Sequence, residues 1–219
     1  MAAAATEQVK SLIVITISTN YDDILSVVIH QNQKFFERWY IVTHADDLNT
    51  INLVKTSKYS NIELLYFDFY KNSAFNKGGA IQYAQKHINS KHTNKNILIL
   101  DSDIFLPDNF YDVLSRIQTY PETIYGVTKR YDYESYLDFI EDINPHEYPA
   151  TRDLVGFFQF YKQTPTKFYP NSWNCSGCDM AFLRYFRDRV HLRLAVKHLG
   201  HAKTHWDGRK DRSDFCMDL

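Results

Sequence analysis

Residues 96–109 read NILILDSDIFLPDN, and this stretch decides the fold. Four aliphatic residues at 97–100 form a continuous apolar run, which is typical of a strand buried on both faces of a parallel sheet. The run ends abruptly at two carboxylates, Asp101 and Asp103. Because ligands of an open α/β sheet bind beyond the carboxyl ends of its strands, these aspartates are placed for chemistry.

The spacing of the two aspartates is suited to a cation. With Ser102 between them, both side chains face the same way if the backbone is extended, and they then offer their carboxylate oxygens to a hard ion such as Mn2+ or Mg2+. Such an ion usually also binds phosphate. A turn followed by a helix N-cap would use the same acidic residues, and this alternative stays open.

The segments before this strand alternate between the periods of strands and helices. We predict strands over residues 11–18, 38–43 and 62–67, which are rich in β-branched and aromatic residues. We predict helices over residues 22–33 and 76–88, where apolar residues recur at helical spacing. This alternation predicts an α/β fold with a mostly parallel central sheet flanked by helices, of the Rossmann-like kind that binds nucleotides.

The segments after this strand are less regular. We predict strands over residues 123–128 and 192–196 and helices over residues 133–143 and 180–187. Residues 144–173 contain four prolines and many aromatic residues, so we predict a long irregular segment there. Long loops in compact domains are often functional, although an ordinary surface excursion is equally compatible with this composition.

Length sets the domain organisation that we expect. A chain of 219 residues is long enough for one substantial α/β domain and short for two. We therefore expect a disordered leader over residues 1–10 and a single domain over residues 11–219. Within that domain, residues 11–107 would form the nucleotide-binding half and residues 108–219 the half that binds the second substrate.

Composition excludes several classes of protein. Lys and Arg total 25 against 26 for Asp and Glu, so the chain lacks the positive charge that extended nucleic-acid binding requires. No apolar run approaches the ~18 residues of a membrane span, and the first residues do not form a secretory signal. Three cysteines do not make a disulfide framework, and we expect a cytoplasmic protein.

Residues 76–79, NKGG, begin a predicted helix and form a candidate anion site. Amides at a helix start attract anions, and glycines allow close approach. Lys77 would then contact a diphosphate or lie under the turn that contains Asp101. Glycines that serve a tight turn beside a solvated lysine are the alternative.

Three histidines, His198, His201 and His205, cluster after the last predicted strand. An imidazole would complete a Mn2+ sphere begun by carboxylates, because Mn2+ accepts mixed oxygen and nitrogen ligands. Arg209 follows this cluster. Its guanidinium group would pair with phosphate oxygens, and a solvated arginine is the alternative.

Cys175 and Cys178 form a Cys-x-x-Cys pair. Together with His198 and His201 they suggest a structural zinc site, although the separation between the pairs is longer than in a short zinc finger. Asp179 follows the second cysteine and precedes an apolar helix. Asp179 is therefore either an N-cap or a carboxylate that faces the cleft as a general base.

Taken in order, these stretches resemble the nucleotide-sugar-dependent glycosyltransferases of the GT-A fold. The resemblance is greatest to the small family-2-type members of bacteria and large DNA viruses, including the small glycosyltransferase domains of large algal viruses, and it runs over most of the chain. The matching stretches are the first strand with its polar end, residues 76–79, Asp101-Ser102-Asp103, GFFQ at 156–159, SGCDMAF at 176–182, and HLG at 198–200 leading to WDGR at 206–209.

The resemblance implies an activity and its partners. The chain would be a metal-dependent glycosyltransferase of the hexosyltransferase type, with Mn2+ or Mg2+ as the cofactor. It would move a sugar from a nucleoside diphosphate sugar, a UDP-sugar by the family's preference, to a hydroxyl of a glycan or glycoprotein acceptor with inversion. The resemblance to viral members also implies a location in the cytoplasm of a virus-infected cell.

The resemblance also implies roles for particular residues. Asp103 would ligate the metal directly, and Asp101 would contact the sugar or ribose. His198 would join the metal in preference to His201, because the His-Leu-Gly triplet is what matches. Asp179 matches the position of the inverting catalytic base.

The nucleoside would be bound at the ends of the first two predicted strands. By the same resemblance, Thr19 and either Asp46 or Asp47 would hold the uracil and the ribose.

Two other classes of protein fit part of the pattern. Haloacid-dehalogenase-type phosphatases also place Asp-x-Asp after a strand, but near the amino terminus and with Thr or Val two places after the second Asp, where this chain has Phe105. A sugar-binding or partner-binding module stabilised by zinc is the non-enzymatic alternative.

Overall fold

The computed structural model describes residues 11–149, 154, 156–200 and 207–210. Within these ranges the chain forms one sheet of nine strands with helices on both faces. The expected leader over residues 1–10 lies outside the described residues.

In chain order the elements are β1 (Leu12–Ile17), α1 (Asp22–Asn32), a 3-10 turn (Gln33–Phe35), β2 (Arg38–Thr43), α2 (Leu48–Ser57), β3 (Ile62–Tyr66), α3 (Lys77–Lys91), β4 (Asn96–Leu100), β5 (Ile104–Phe105), α4 (Phe110–Ser115), β6 (Thr123–Tyr133), α5 (Tyr136–Glu141), β7 (His146–Pro149), β8 (Phe158–Lys162), α6 (Cys178–Leu183) and β9 (Asp188–Leu199).

The strands run in the order β3-β2-β1-β4-β8-β6-β9-β5, with β7 paired to β6. The first four of these are mutually parallel. Chain order reverses between β1 and β4, as it does in a doubly wound nucleotide-binding half. The prediction of a Rossmann-like α/β fold is confirmed.

The central strand β4 is buried on both faces, as its uniform apolar run predicts. Ile97 and Ile99 face one side of the sheet, where they pack with Ile81 and Ala84 of α3. Residues 98 and 100 face the other side, where they belong to the cluster that includes α1. Two hydrophobic cores therefore enclose the strand that leads to Asp101 and Asp103.

The prediction of an irregular segment over residues 144–173 is wrong, because β7 and β8 lie within it. β8 pairs antiparallel with β4 near the centre of the sheet. Its side chains Phe158, Gln159 and Phe160 are buried on both faces, so the strand shows no alternation. The amide of Gln159 is satisfied inside the protein, since its Oε1 accepts a hydrogen bond from the hydroxyl of Tyr169.

The observed bounds of several strands and helices differ from the predicted bounds because strands that are distant in sequence pair with each other. β6 and β9 are parallel partners from Thr123 and Asp188 to Tyr133 and Leu199, apart from a bulge near residue 128, so both strands are longer than predicted. The helix predicted over residues 133–143 is shorter in the structure, where it is α5 (Tyr136–Glu141). Helices α2 and α4 were not predicted. None of the described helices is both long enough and apolar enough to cross a lipid bilayer.

A buried side chain, Asn32 of α1, helps to hold the segment that follows Asp103. Its Nδ2 donates to the carbonyl oxygen of Ile104 at 2.7 Å. Its Oδ1 accepts from the amide of Leu106 at 3.0 Å. Because Asn32 is fully buried, these bonds fix the backbone beside Asp103 without help from solvent.

We expect Asn32→Ala to lower the free energy of unfolding by about 3 kcal/mol, because two buried backbone groups would lose their partners. Urea denaturation measures the change. Gln31→Ala is a matched control, since Gln31 also donates to this segment, at Leu106 O, but is only half-buried, and its loss should cost about 1 kcal/mol or less. Equal losses in the two variants would contradict the role of Asn32.

Candidate active site

The carboxyl ends of β1 and β4 border a cleft of about 440 Å³. Open α/β sheets bind ligands where the strand order reverses, which is this position. The cleft brings together predicted site residues from six separate parts of the chain. They are Thr19, Lys77, Asp101, Asp103, Asp179, His198 and Arg209.

Lys77 is the counter-ion of Asp101. Its Nζ donates to Asp101 Oδ1 at 2.7 Å. Burial raises the pKa of the Asp101 carboxyl, although the Lys77 ammonium opposes that rise. Burial alone would lower the pKa of Lys77, but the Asp101 carboxylate holds it above its ordinary value. Of the two placements predicted for Lys77, the structure has the one under the Asp101 turn.

The amides at the start of α3 are already occupied by protein groups. Gly78 N donates to Ser172 Oγ at 3.2 Å, and Gly79 N donates to Asn76 Oδ1 at 2.7 Å. A Cβ on Gly78 would lie 2.0 Å from the carbonyl oxygen of Pro170. Glycine is required here because another segment of the chain packs against the helix start, and an anion would have to replace these protein acceptors to bind the two amides.

Asp103 and His198 form the second charged pair of the cleft. Pairing of β5 with β9 sets Ile104 opposite His198, which brings Asp103 Oδ2 to 3.3 Å from His198 Nε2. Burial opposes protonation of the imidazole, but the Asp103 carboxylate outweighs burial and raises the pKa of His198 to about 9. Burial alone would raise the pKa of the Asp103 carboxyl, but its pairing with His198 lowers that pKa below the ordinary value.

The Asp103 and His198 pair fits a divalent ion that also binds a substrate. Asp103 Oδ1 is buried and has no hydrogen-bond partner among the described residues. Carboxylate and imidazole are donor types that Mn2+ accepts, and Mg2+ is often held by one or two carboxylates plus substrate phosphates and water. The described ranges contain no group of three His, Cys, Asp or Glu side chains arranged around one metal position. The predicted ligand His201 lies outside the described residues.

Asp179 lies in the first turn of α6 and lines the cleft. Its Oδ2 accepts from Gly156 N at 2.9 Å, and its Oδ1 accepts from Met180 N at 2.9 Å. The N-cap of α6 is Gly177, whose φ of 72° suits glycine, so the N-cap interpretation of Asp179 is wrong. The two amides fix the orientation of a carboxylate at the cleft wall.

Of the predicted nucleoside contacts, the structure brings only Thr19 into the described lining of the cleft. Thr19 Oγ1 is buried and lacks a hydrogen-bond partner among the described residues. Asp47 instead caps α2 by accepting from Thr50 N at 3.2 Å. Asp46 is exposed, and neither Asp46 nor Asp47 lines the cleft.

Arg209 is neither solvated nor free to turn toward a ligand. Its side chain is 1% exposed and forms two hydrogen bonds with the Asp23 carboxylate, at 2.6 and 2.8 Å. The guanidinium carbon also lies 4.8 Å from the centre of the Tyr21 ring. Arg209 therefore ties the described end of the chain to α1, and a direct bond to phosphate would require it to leave Asp23.

We expect Arg209→Met to lower the free energy of unfolding of the ligand-free protein by about 3 kcal/mol, because Asp23 would lose a buried partner. Urea denaturation without nucleotide measures the change. Arg187→Met is the matched control, since Arg187 forms an exposed pair with Asp188 and its loss should cost about 1 kcal/mol or less. Unchanged stability in the Arg209 variant would show that the pair is not structural.

The described members of the suggested zinc site do not form a metal-binding group, and its fourth member, His201, lies outside the described residues. Cys175 and Cys178 line the cleft, but burial raises the pKa of the Cys175 thiol to about 11 and also raises that of Cys178. A site made of Cys175, Cys178 and His198 is absent from the described residues, as no metal-binding group of three is formed there.

Functional candidates that the sequence did not reveal lie on β6 and in the aromatic wall of the cleft. Asp132 is buried and lies 3.3 Å from His198 Nδ1, and Arg130 lines the cleft two residues earlier. A charged pair within a strand would have been a usable signal, but the strand was predicted to end at residue 128. The missed aromatic lining residues are Tyr21, Phe75, Phe157 and Tyr169.

Comparisons with known proteins find only distant similarities in structure. No family model and no curated protein matches the chain. One aligned structure is 4-diphosphocytidyl-2C-methyl-D-erythritol synthase from Anaerococcus prevotii, with 11% identity, 92% of each chain covered and a TM-score of 0.49. Another is a putative glucose-1-phosphate thymidylyltransferase from Bacillus anthracis, with 9% identity, 82% of this chain and 86% of that chain covered and a TM-score of 0.49.

A third aligned structure is the apo-form glycosyltransferase GlyE from Streptococcus pneumoniae, with 11% identity and a TM-score of 0.41. It covers 69% of this chain and 34% of that chain. At these TM-scores the similarities assign neither residues nor an activity to this chain, so the function is inferred from the cleft itself.

Proposed function

We propose that the chain is a metal-dependent glycosyltransferase. It would transfer a sugar from a nucleoside diphosphate sugar, preferably a UDP-sugar, to a hydroxyl of a glycan or glycoprotein acceptor, with inversion. The observation that carries the proposal is the Asp103 and His198 pair at the point where the strand order reverses, in which Asp103 Oδ1 has no hydrogen-bond partner within the described part of the chain. Asp179 lines the same cleft.

The charges of the cleft support a requirement for a metal. Each cationic side chain in the described lining already lies against a carboxylate, so none is free to neutralise a diphosphate. A divalent ion would supply that compensation. The pairs are Lys77 with Asp101, Arg130 with Asp132, His198 with Asp103, and Arg209 with Asp23.

The described residues offer groups for the remaining steps. Thr19 Oγ1 offers a buried hydroxyl to the nucleotide. The acceptor oxygen attacks the anomeric carbon as the bond from that carbon to the diphosphate breaks, and Asp179 takes the proton of the acceptor hydroxyl. Asp103 and His198 would hold the cation that neutralises the charge on the departing diphosphate.

A panel of nucleotide sugars with Mn2+ tests the proposal. A bound donor should raise the unfolding temperature, because a ligand that binds the folded state stabilises it, and turnover should release nucleoside diphosphate. Chelation of the metal should remove both effects. Failure of every nucleotide sugar to bind would refute the proposal, and hydrolysis of an aryl phosphate without any sugar nucleotide would favour the phosphatase alternative.

A further inference from the structure

Asp132 is a buried carboxylate that the proposed chemistry does not use. Its side chain is 2% exposed, although a buried charge is costly unless it is paired. Parallel pairing of β6 with β9 sets Asp132 directly opposite His198. The strand register therefore places this carboxylate beside the candidate metal ligand, on the side of the ring away from Asp103.

The position of the Asp132 carboxylate is fixed by Arg130. The Nε of Arg130 lies 2.7 Å from Asp132 Oδ1, and one of its terminal nitrogens donates to Asp132 Oδ2 at 2.9 Å. The guanidinium group lies between two aromatic rings, 4.9 Å from the centre of Tyr148 and 5.0 Å from that of Phe157. Two anchored contacts thus leave the carboxylate little freedom to turn.

His198 consequently lies within ion-pair distance of a carboxylate at each ring nitrogen, although Nδ1 forms no hydrogen bond of good geometry with the described residues. Nδ1 lies 3.3 Å from Asp132 Oδ1, and Nε2 lies 3.3 Å from Asp103 Oδ2. A carboxylate behind a histidine fixes the ring orientation and the tautomer that presents the other nitrogen to a metal. We propose that Asp132 is a positioning residue, which holds His198 so that Nε2 faces Asp103 and the cleft.

This inference rests on the proposed metal site but makes a separate claim about it. Asp132 would act through His198 and would touch neither the metal nor the substrate. A purely structural role, in which Asp132 only neutralises Arg130, predicts a loss of stability without a specific loss of metal affinity. The two roles are therefore separated by measuring metal binding rather than turnover.

The test is the affinity for Mn2+ in the presence of UDP, measured by the electron paramagnetic resonance of free Mn2+. Asp132→Asn keeps the shape of the side chain and should weaken Mn2+ binding at least about tenfold, the lower end of what loss of such a partner costs. Glu147→Gln is the matched control, because it removes a carboxylate that pairs with Lys129 across β6 and β7, away from His198. It should leave the affinity unchanged.

A double-variant cycle decides whether the effect passes through His198. If it does, adding Asp132→Asn to His198→Gln should change Mn2+ affinity less than about twofold, because coupled residues are not additive. If the two substitutions lowered Mn2+ affinity independently, so that their fold-losses multiplied in the double variant, the positioning role would be overturned. An unchanged Mn2+ affinity in Asp132→Asn alone would also overturn it. Absence of Mn2+ binding by the wild-type protein would instead refute the metal site, and the role of Asp132 with it.

Discussion

Asp103→Ala is expected to abolish both Mn2+-dependent nucleotide binding and sugar transfer. Asp103 supplies a buried Oδ1 that has no hydrogen-bond partner in the described ranges, and its Oδ2 lies 3.3 Å from His198 Nε2. Without this carboxylate the cleft retains His198 and Asp101 as predicted ligands, and Asp101 is already paired with Lys77. An imidazole beside a carboxylate that an ammonium group neutralises does not hold a hard cation against water, so a bound diphosphate would lack compensation for its charge.

Calorimetric titration of UDP with and without Mn2+, together with a turnover assay, measures the effect of Asp103→Ala. Asp108→Ala is the matched control, because Asp108 is an exposed aspartate five residues later that pairs with Lys34 at the surface. The control should bind and turn over as the wild type does. If Asp103→Ala bound UDP with an unchanged dependence on Mn2+, Asp103 would be excluded as a ligand.

The parallel half of the sheet was predictable because its signals are local. The run at residues 97–100 lacks alternation, since both faces of β4 are covered by hydrophobic clusters. β8 is also buried on both faces, and this is why it was not predicted. Its aromatic residues lie among prolines, a composition that is typical of an irregular segment. A strand that is buried on both faces and has no aliphatic run gives no period to detect.

The candidate site was predictable where its residues follow strands directly, and not where distant strands meet. Asp101 and Asp103 follow β4, so their place at the rim of the sheet follows from one strand. The nearness of Asp132 to His198 depends on the register of β6 against β9, which no local pattern contains. Asp47 was misassigned because the same short carboxylate suits both a ligand contact and a helix cap.

Asp179→Asn is expected to spare nucleotide binding and to slow transfer by about two to four orders of magnitude, the usual cost of losing a general base. An amide has the size of the carboxylate but cannot accept the proton of the acceptor hydroxyl. It can still accept a hydrogen bond from Gly156 N, which lies 2.9 Å from Asp179 Oδ2. Turnover at saturating donor and acceptor, measured beside the affinity for UDP with Mn2+, separates the two effects.

Asp179→Asn is informative because its turnover and its affinity for UDP with Mn2+ are measured separately. Asp188→Asn is the matched control, since Asp188 is a half-exposed carboxylate on β9 that pairs with Arg187 at the surface, and it should change neither quantity. Unchanged turnover in Asp179→Asn would remove this residue from the role of base. Loss of UDP affinity equal to the loss of turnover would show that Asp179 shapes the cleft through its contact with Gly156, and the proton would then have to go elsewhere. Slow transfer with intact binding is the result that proton transfer to Asp179 requires, because a general base acts on the transition state and not on the bound donor.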